Sequence, residues 1–100
     1  MDIKIAILED NNIQADQLIK IINKWGNDKF HSLTITHYNT SNDIINDENA
    51  INNNLLFSDI ELEETLRKTA TKVSCSKNGI EVCMQLRKKG FLGDIILLTA

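Results

Sequence analysis

The stretch Ile3-Lys4-Ile5-Ala6-Ile7-Leu8-Glu9-Asp10-Asn11 decides how this chain reads. Its first six residues are short, β-branched and nearly unbroken in apolarity, the pattern of a strand covered on both faces as in a parallel sheet. Two carboxylates end the run abruptly. Asn11, with Gln14 three residues on, then forms a capping pair. The helix it opens carries Ile13, Leu18, Ile21, Ile22 and Trp25 near helical spacing, and Gly26-Asn27-Asp28 is expected to stop it.

The same alternation continues outward. Leu33-Thr34-Ile35-Thr36-His37-Tyr38 is a second β-branched strand, and it runs into Asn39-Thr40-Ser41-Asn42, a cluster of good N-cap residues. A helix from Asp43 to about Ile51 is the expected sequel, and the Asn-rich patch Asn52-Asn53-Asn54 reads as a polar turn. Leu55-Leu56-Phe57-Ser58-Asp59-Ile60 is a third strand, apolar until an aspartate appears near its end. Over residues 62–73, Leu62, Leu66 and Val73 share a helical face, while Glu63 with Arg67 and Glu64 with Lys68 pair at i,i+4. Asn78-Gly79-Ile80-Glu81 opens a further helix, with Ile80, Val82, Cys83 and Leu86 as its apolar positions. Arg87-Lys88-Lys89 forms its solvated last turn, where cations suit the dipole, and Gly90 and Gly93 close it. Asp94-Ile95-Ile96-Leu97-Leu98-Thr99 is the fourth strand. Strands alternating with helices at this rhythm imply right-handed crossovers, hence an α/β, doubly wound parallel sheet with helices on both faces.

Composition narrows the function classes. The 100 residues are 42% hydrophobic and 25% charged, without proline, which suits one domain with one core. The net charge of −3 and the scattered Lys and Arg residues exclude the dense basic patch that binding a phosphate backbone needs, so direct nucleic-acid contact is not expected. Apolar runs such as Ile95-Ile96-Leu97-Leu98 fall far short of the roughly 20 residues that cross a bilayer. With no signal-peptide layout at Met1-Asp2-Ile3-Lys4, the expected location is the cytoplasm. Cys75 and Cys83 lack the spacing of a zinc or redox pair and read as reduced thiols. His31 and His37, with no ligand-spaced partner, read as structural histidines.

In open α/β sheets ligands bind beyond the C-terminal ends of the strands, where strand order reverses. The first strand ends in Glu9-Asp10, the third in Asp59 and the fourth in Thr99, so three carboxylates and a hydroxyl are expected along one edge. Like charges held together raise one another's pKa unless a cation compensates them. Mg²⁺, which takes a few carboxylates plus waters and phosphate oxygens, is the economical counter-charge. Such a cluster also presents one carboxylate as a nucleophile toward phosphorus.

Four motifs carry a resemblance. They are Ile5-Ala6-Ile7-Leu8-Glu9-Asp10-Asn11, Leu56-Phe57-Ser58-Asp59-Ile60-Glu61, Asn78-Gly79-Ile80-Glu81 with Leu86-Arg87-Lys88, and Ile96-Leu97-Leu98-Thr99-Ala100. In this order they resemble the receiver domain of bacterial two-component response regulators, most of all receivers that precede LytTR-type DNA-binding domains. The resemblance implies a flavodoxin-like fold over residues 1–100 with Asp59 as phospho-acceptor. It implies Glu9 and Asp10 as ligands of Mg²⁺ together with Asp59 and the backbone carbonyl of Glu61, and Thr99 as the switch hydroxyl. The implied phosphoryl donor is a phosphohistidine on a sensor histidine kinase.

The chain also departs from that family. Asp59 and Gly79 are twenty positions apart, longer than the usual loop, which marks an insertion at about 62–76. Glu63 stands where a proline is common. The family's last strand, with its lysine, and its last helices have no counterpart, so the chain reads as a receiver truncated after the fourth strand. An apolar fourth strand left as an edge invites pairing with another copy, so self-association is expected. Two other functions compete with the phospho-acceptor: a degenerate pseudo-receiver acting as an interaction module, and a small Mg²⁺-dependent phosphohydrolase. Against the latter, Glu61 stands where a second aspartate would be expected.

Overall fold

The computed structural model describes residues 2–59 and 79–98. In chain order the elements are β1 (Asp2–Leu8), α1 (Asn12–Asp28), β2 (Ser32–Tyr38), α2 (Ser41–Asn46), a 3-10 turn (Glu48–Asn52), β3 (Leu55–Asp59), α3 (Gly79–Lys89) and β4 (Asp94–Leu98). The strands form one parallel sheet in the order β2-β1-β3-β4. The chain thus moves to one side of β1 to make β2 and to the other side to make β3, which sets a switch point between β1 and β3.

The pleat of β1 explains why its sequence is apolar throughout. Ile5 and Ile7 face α1, packing with Ile22 and the partly buried Leu18, Ile19, Leu33, Ile35, Leu55 and Phe57. Ala6 and Leu8 face the other way, into a core with Ile44 of α2, Leu56 of β3, Val82, Cys83 and Leu86 of α3, and Phe91. Both faces of the central strand β1 are covered, as the doubly wound α/β class requires.

Several local expectations are corrected. The helix α1 ends at Asp28, within the expected Gly26-Asn27-Asp28 stop, but Gly26 is buried inside the helix and does not end it. A Cβ at Gly26 would lie 2.5 Å from Leu33 Cδ1, so the glycine serves the close approach of β2 rather than a helix end. Later residues close the end: the Phe30 N–H donates to the Asn27 carbonyl and the His31 N–H to the Gly26 carbonyl, the paired bonds of a Schellman motif. Phe30 occupies the left-handed position with φ of 58°. The core face of α1 is Ala15, Leu18, Ile19, Ile22 and Gly26, whereas Ile13, Ile21 and Trp25 are exposed. In α3, likewise, Ile80 is exposed and Gly79 takes its place beside Val82, Cys83 and Leu86.

The single helix expected from Asp43 to about Ile51 is two pieces. Thr40 caps α2 by accepting from the Asp43 N–H, and Asp47 then breaks the helix and caps the 3-10 turn through the Asn49 N–H. The polar turn at residues 52–54 holds more than expected. Asn54 accepts from the Lys4 N–H through Oδ1 at 2.9 Å, donates its own N–H to the Lys4 carbonyl and accepts the Asp94 N–H, tying β1 to β4. The basic end of α3 is exposed, yet two of its cations hold backbone. Arg87 donates to the Phe91 carbonyl at 3.0 Å, and the Lys89 ammonium to the Ile45 carbonyl. No helix among the described residues is long and apolar enough to cross a membrane.

Candidate functional site

The switch point places Glu9 and Asp10 immediately after β1, next to Asp59 at the end of β3. One carboxylate oxygen from each of Glu9, Asp10 and Asp59 lies within 4.8 Å of the others. Residues 49 positions apart in sequence are brought together because β1 and β3 pair in parallel with Leu8 opposite Ser58, so both strands run out of the sheet at the same level.

Glu9 is held at several atoms. Its N–H donates to the Tyr38 carbonyl at 3.1 Å, its own carbonyl accepts from His37 Nε2 at 2.8 Å, and its Oε2 accepts from the Asn11 N–H at 3.0 Å. Asn11 in turn caps α1, its Oδ1 accepting from the Ile13 and Gln14 N–H groups. The expected capping pair therefore has a different second half, because the Asn11 N–H is satisfied by Glu9. His37 is structural as expected, its role being to clamp the backbone of Glu9 from β2.

Glu9 is only 7% exposed. Burial pushes its carboxyl up to about 7, a hydrogen bond with Asp10 and the negative charges of Asp59 and Asp10 add to the rise, and the Asn11 N–H opposes it. A buried Glu9 that resists ionisation beside two partly buried carboxylates is an electrostatic setting in which a divalent cation is favoured. All the donors are hard oxygens, and their charge suits Mg²⁺ better than a soft metal.

Ser58 escaped notice in the sequence. It is fully buried, its Oγ donates to the Asp59 carbonyl at 3.2 Å, and it hydrogen-bonds the Cys83 side chain. Burial raises the Cys83 thiol above its ordinary pKa, consistent with an inert core residue. The signal was a polar residue within an apolar strand just before the aspartate. Of the other expected site residues, Glu61 and Thr99 lie outside the described residues, as do the 62–76 insertion, Cys75 and Asn78.

A scan of protein-family models and a search of curated proteins find no match to this sequence. Solved structures do match. The MaeR response regulator bound to beryllium trifluoride aligns with a TM-score of 0.72 at 23% identity, covering 98% of this chain and 67% of that one. The signal receiver domain of a putative LuxO repressor protein from Vibrio parahaemolyticus aligns with a TM-score of 0.63 at 16% identity, covering 99% of this chain and 62% of that one. A MaeR variant lacking an aspartate and bound to sulfate gives 0.63 at 23%, covering 100% and 69%. The fold is thus the flavodoxin-like α/β fold of response-regulator receiver domains.

Proposed function

We propose that this chain is a two-component signal receiver whose Asp59 accepts a phosphoryl group in an Mg²⁺-dependent step. The observation that carries the proposal is the convergence of Glu9, Asp10 and Asp59 within 4.8 Å at the switch point of a receiver fold. Similar structures that bind beryllium trifluoride and sulfate support it, since both ligands present tetrahedral, phosphate-like geometry. The expected donor is a phosphohistidine of a sensor histidine kinase, and the setting is the cytoplasm. On its motifs we read the domain as the type that precedes a LytTR-type output.

In the reaction an Asp59 carboxylate oxygen attacks phosphorus in line, the bond from phosphorus to the donor breaks, and the donor leaves with its electron pair. Glu9 and Asp10 would hold Mg²⁺ with Asp59 and the Glu61 carbonyl, and the ion would supply charge neutralisation for the phosphoryl oxygens. Thr99 would contact the phosphoryl group. The residues of the chain contribute position more than bond-making chemistry: Asn11 and His37 fix Glu9, and β3 fixes Asp59. The domain is a self-modifying signalling element rather than an enzyme acting on a separate substrate.

Intact mass after incubation with acetyl phosphate, with and without Mg²⁺, tests this. The expected result is gain of one phosphoryl group that needs Mg²⁺ and is lost in Asp59→Asn. A folded chain that gains nothing overturns the acceptor role and leaves the interaction-module reading.

A further inference from the structure

The first turn of α3 lies against the backbone of Asp59. A Cβ added at Gly79 would sit 1.9 Å from the Asp59 carbonyl oxygen, 2.8 Å from its carbon and 2.8 Å from Ser58 Oγ. Ordinary contact begins at 3.4 Å, so with any side chain there the Asp59 carbonyl and the first turn of α3 would have to part by about 1.5 Å. The glycine is not needed for its own backbone, which is not in the left-handed region, and a helix start accepts almost any residue. One turn further on, Cys83 meets the buried Ser58, whose Oγ donates to that same Asp59 carbonyl. The helix therefore touches the end of β3 at two points, and both act on one peptide group.

We propose that Gly79, Ser58 and Cys83 are the positioning residues of the acceptor, fixing the Asp59 peptide and with it the direction from which the carboxylate meets phosphorus. This rests on the reading of Asp59 as the acceptor. Gly79 is glycine for the sake of Asp59, and the polar pair Ser58–Cys83 sits in an otherwise apolar interface because the carbonyl it holds belongs to the reacting residue. The metal ligands Glu9 and Asp10 hang on the β1–α1 turn and do not depend on this seat.

The test compares the full chain with Gly79→Ala, Ser58→Ala and Asp59→Asn. Two quantities are read: the maximal rate of Mg²⁺-dependent phosphoryl uptake from acetyl phosphate, and Mg²⁺ affinity by titration calorimetry. Circular dichroism reports whether each variant folds. A misplacement of about 1 Å passed on to a reacting group can lower rates about 100-fold, so Gly79→Ala is expected to lose roughly 10- to 100-fold in rate. Its Mg²⁺ affinity should fall to that of Asp59→Asn and no further, since Glu9 and Asp10 stay in place. Ser58→Ala, which adds no volume, should lose several-fold in rate while remaining folded. A folded Gly79→Ala with the parent's rate and affinity overturns the proposal. Should Gly79→Ala fail to fold, Ser58→Ala decides, and parent values in that variant overturn it. If the parent chain binds Mg²⁺ but takes up no phosphoryl group, the acceptor reading fails. The seat is then judged on Mg²⁺ affinity alone: Gly79→Ala matching Asp59→Asn supports it, and matching the parent overturns it.

Discussion

Replacing Glu9 by glutamine removes one negative charge from the carboxylate cluster while keeping an oxygen to accept the Asn11 N–H, so the variant isolates the cost of ionising a buried acid. The folded chain holds the Glu9 carboxyl at about 7 against an ordinary value of 4.5. Below pH 4.5 both folded and unfolded chains carry the proton, and its stabilising contribution is fully present. Between that value and about 7 the folded chain binds more protons than the unfolded one, so stability falls as pH rises, and above about 7 the contribution is gone. At about 1.36 kcal/mol per unit, the full difference is on the order of 3 kcal/mol. Asp10 and Asp59 are only partly buried and admit solvent to the cluster, which screens this to about 1–2 kcal/mol. Urea unfolding followed by circular dichroism at pH 5, 6, 7 and 8, in chelator, measures it. The parent chain should lose about 1–2 kcal/mol relative to Glu9→Gln across that range, and Mg²⁺ at pH 8 should restore more stability to the parent than to the variant. Parallel stability curves for the two proteins would refute the reasoning.

Asn11→Ala deletes the side-chain oxygen that accepts two N–H groups of α1 and should cost about 1 kcal/mol in urea unfolding, with an unchanged midpoint refuting the cap. Phe30→Gly should stabilise by about 1 kcal/mol, because a left-handed residue that is 91% exposed carries strain without burial. A lower midpoint in that variant would show that the ring packs against something after all. The chain should self-associate as its concentration rises, through β4, where Ile96 and Leu97 are exposed and pairing is to β3 alone among the described residues. Light scattering should show Leu97→Lys returning it to monomer, and a parent chain monomeric at high concentration would sink the idea.

The fold was legible because each strand of a parallel sheet covered on both faces must be apolar on both faces. Residues 3–8 and 55–58 satisfy this without ambiguity. The helix faces were less legible. Ile13, Ile21 and Trp25 share a spacing as good as that of Ala15, Leu18 and Ile22, and only the small Ala15 and Gly26 mark the side that β1 and β2 approach closely. Turn chemistry was misread for a related reason. The helix ends at Asp28, inside the expected stop, but Gly26 looked like the cause because glycine usually is one, while the left-handed residue that closes the end is Phe30, which no propensity would select for a positive φ. Placement of the carboxylates followed from strand ends and the switch-point rule, and their convergence follows from register. The clamps on Glu9 and Asp59 were less legible, because His37, Ser58 and Tyr38 hold backbone groups of those residues, and only Ser58, a polar residue in an apolar strand, left a sequence signal.

That division bears on how the site works. A cluster of three carboxylates is electrostatically unfavourable by itself, and a chain free to relax would let them part. Here relaxation is blocked on both sides. Glu9 is bonded to Tyr38 and His37 of β2 and to Asn11 at the start of α1, so moving it would disturb the adjoining strand and a helix cap together. Asp59 has its carbonyl against Gly79 and Ser58, so moving it would disturb β3 and α3. The repulsion therefore cannot be discharged by geometry and is discharged by a proton on Glu9 or by a cation. On the proposed reading Mg²⁺ would take the place of the proton on Glu9, and it would bind more weakly as pH falls below about 7, by up to tenfold per unit. The same rigidity that makes the cluster of like charges costly would, on the proposed reading, hold Asp59 in place when an electrophile arrives, so the strain and the readiness of the proposed acceptor would have one structural cause.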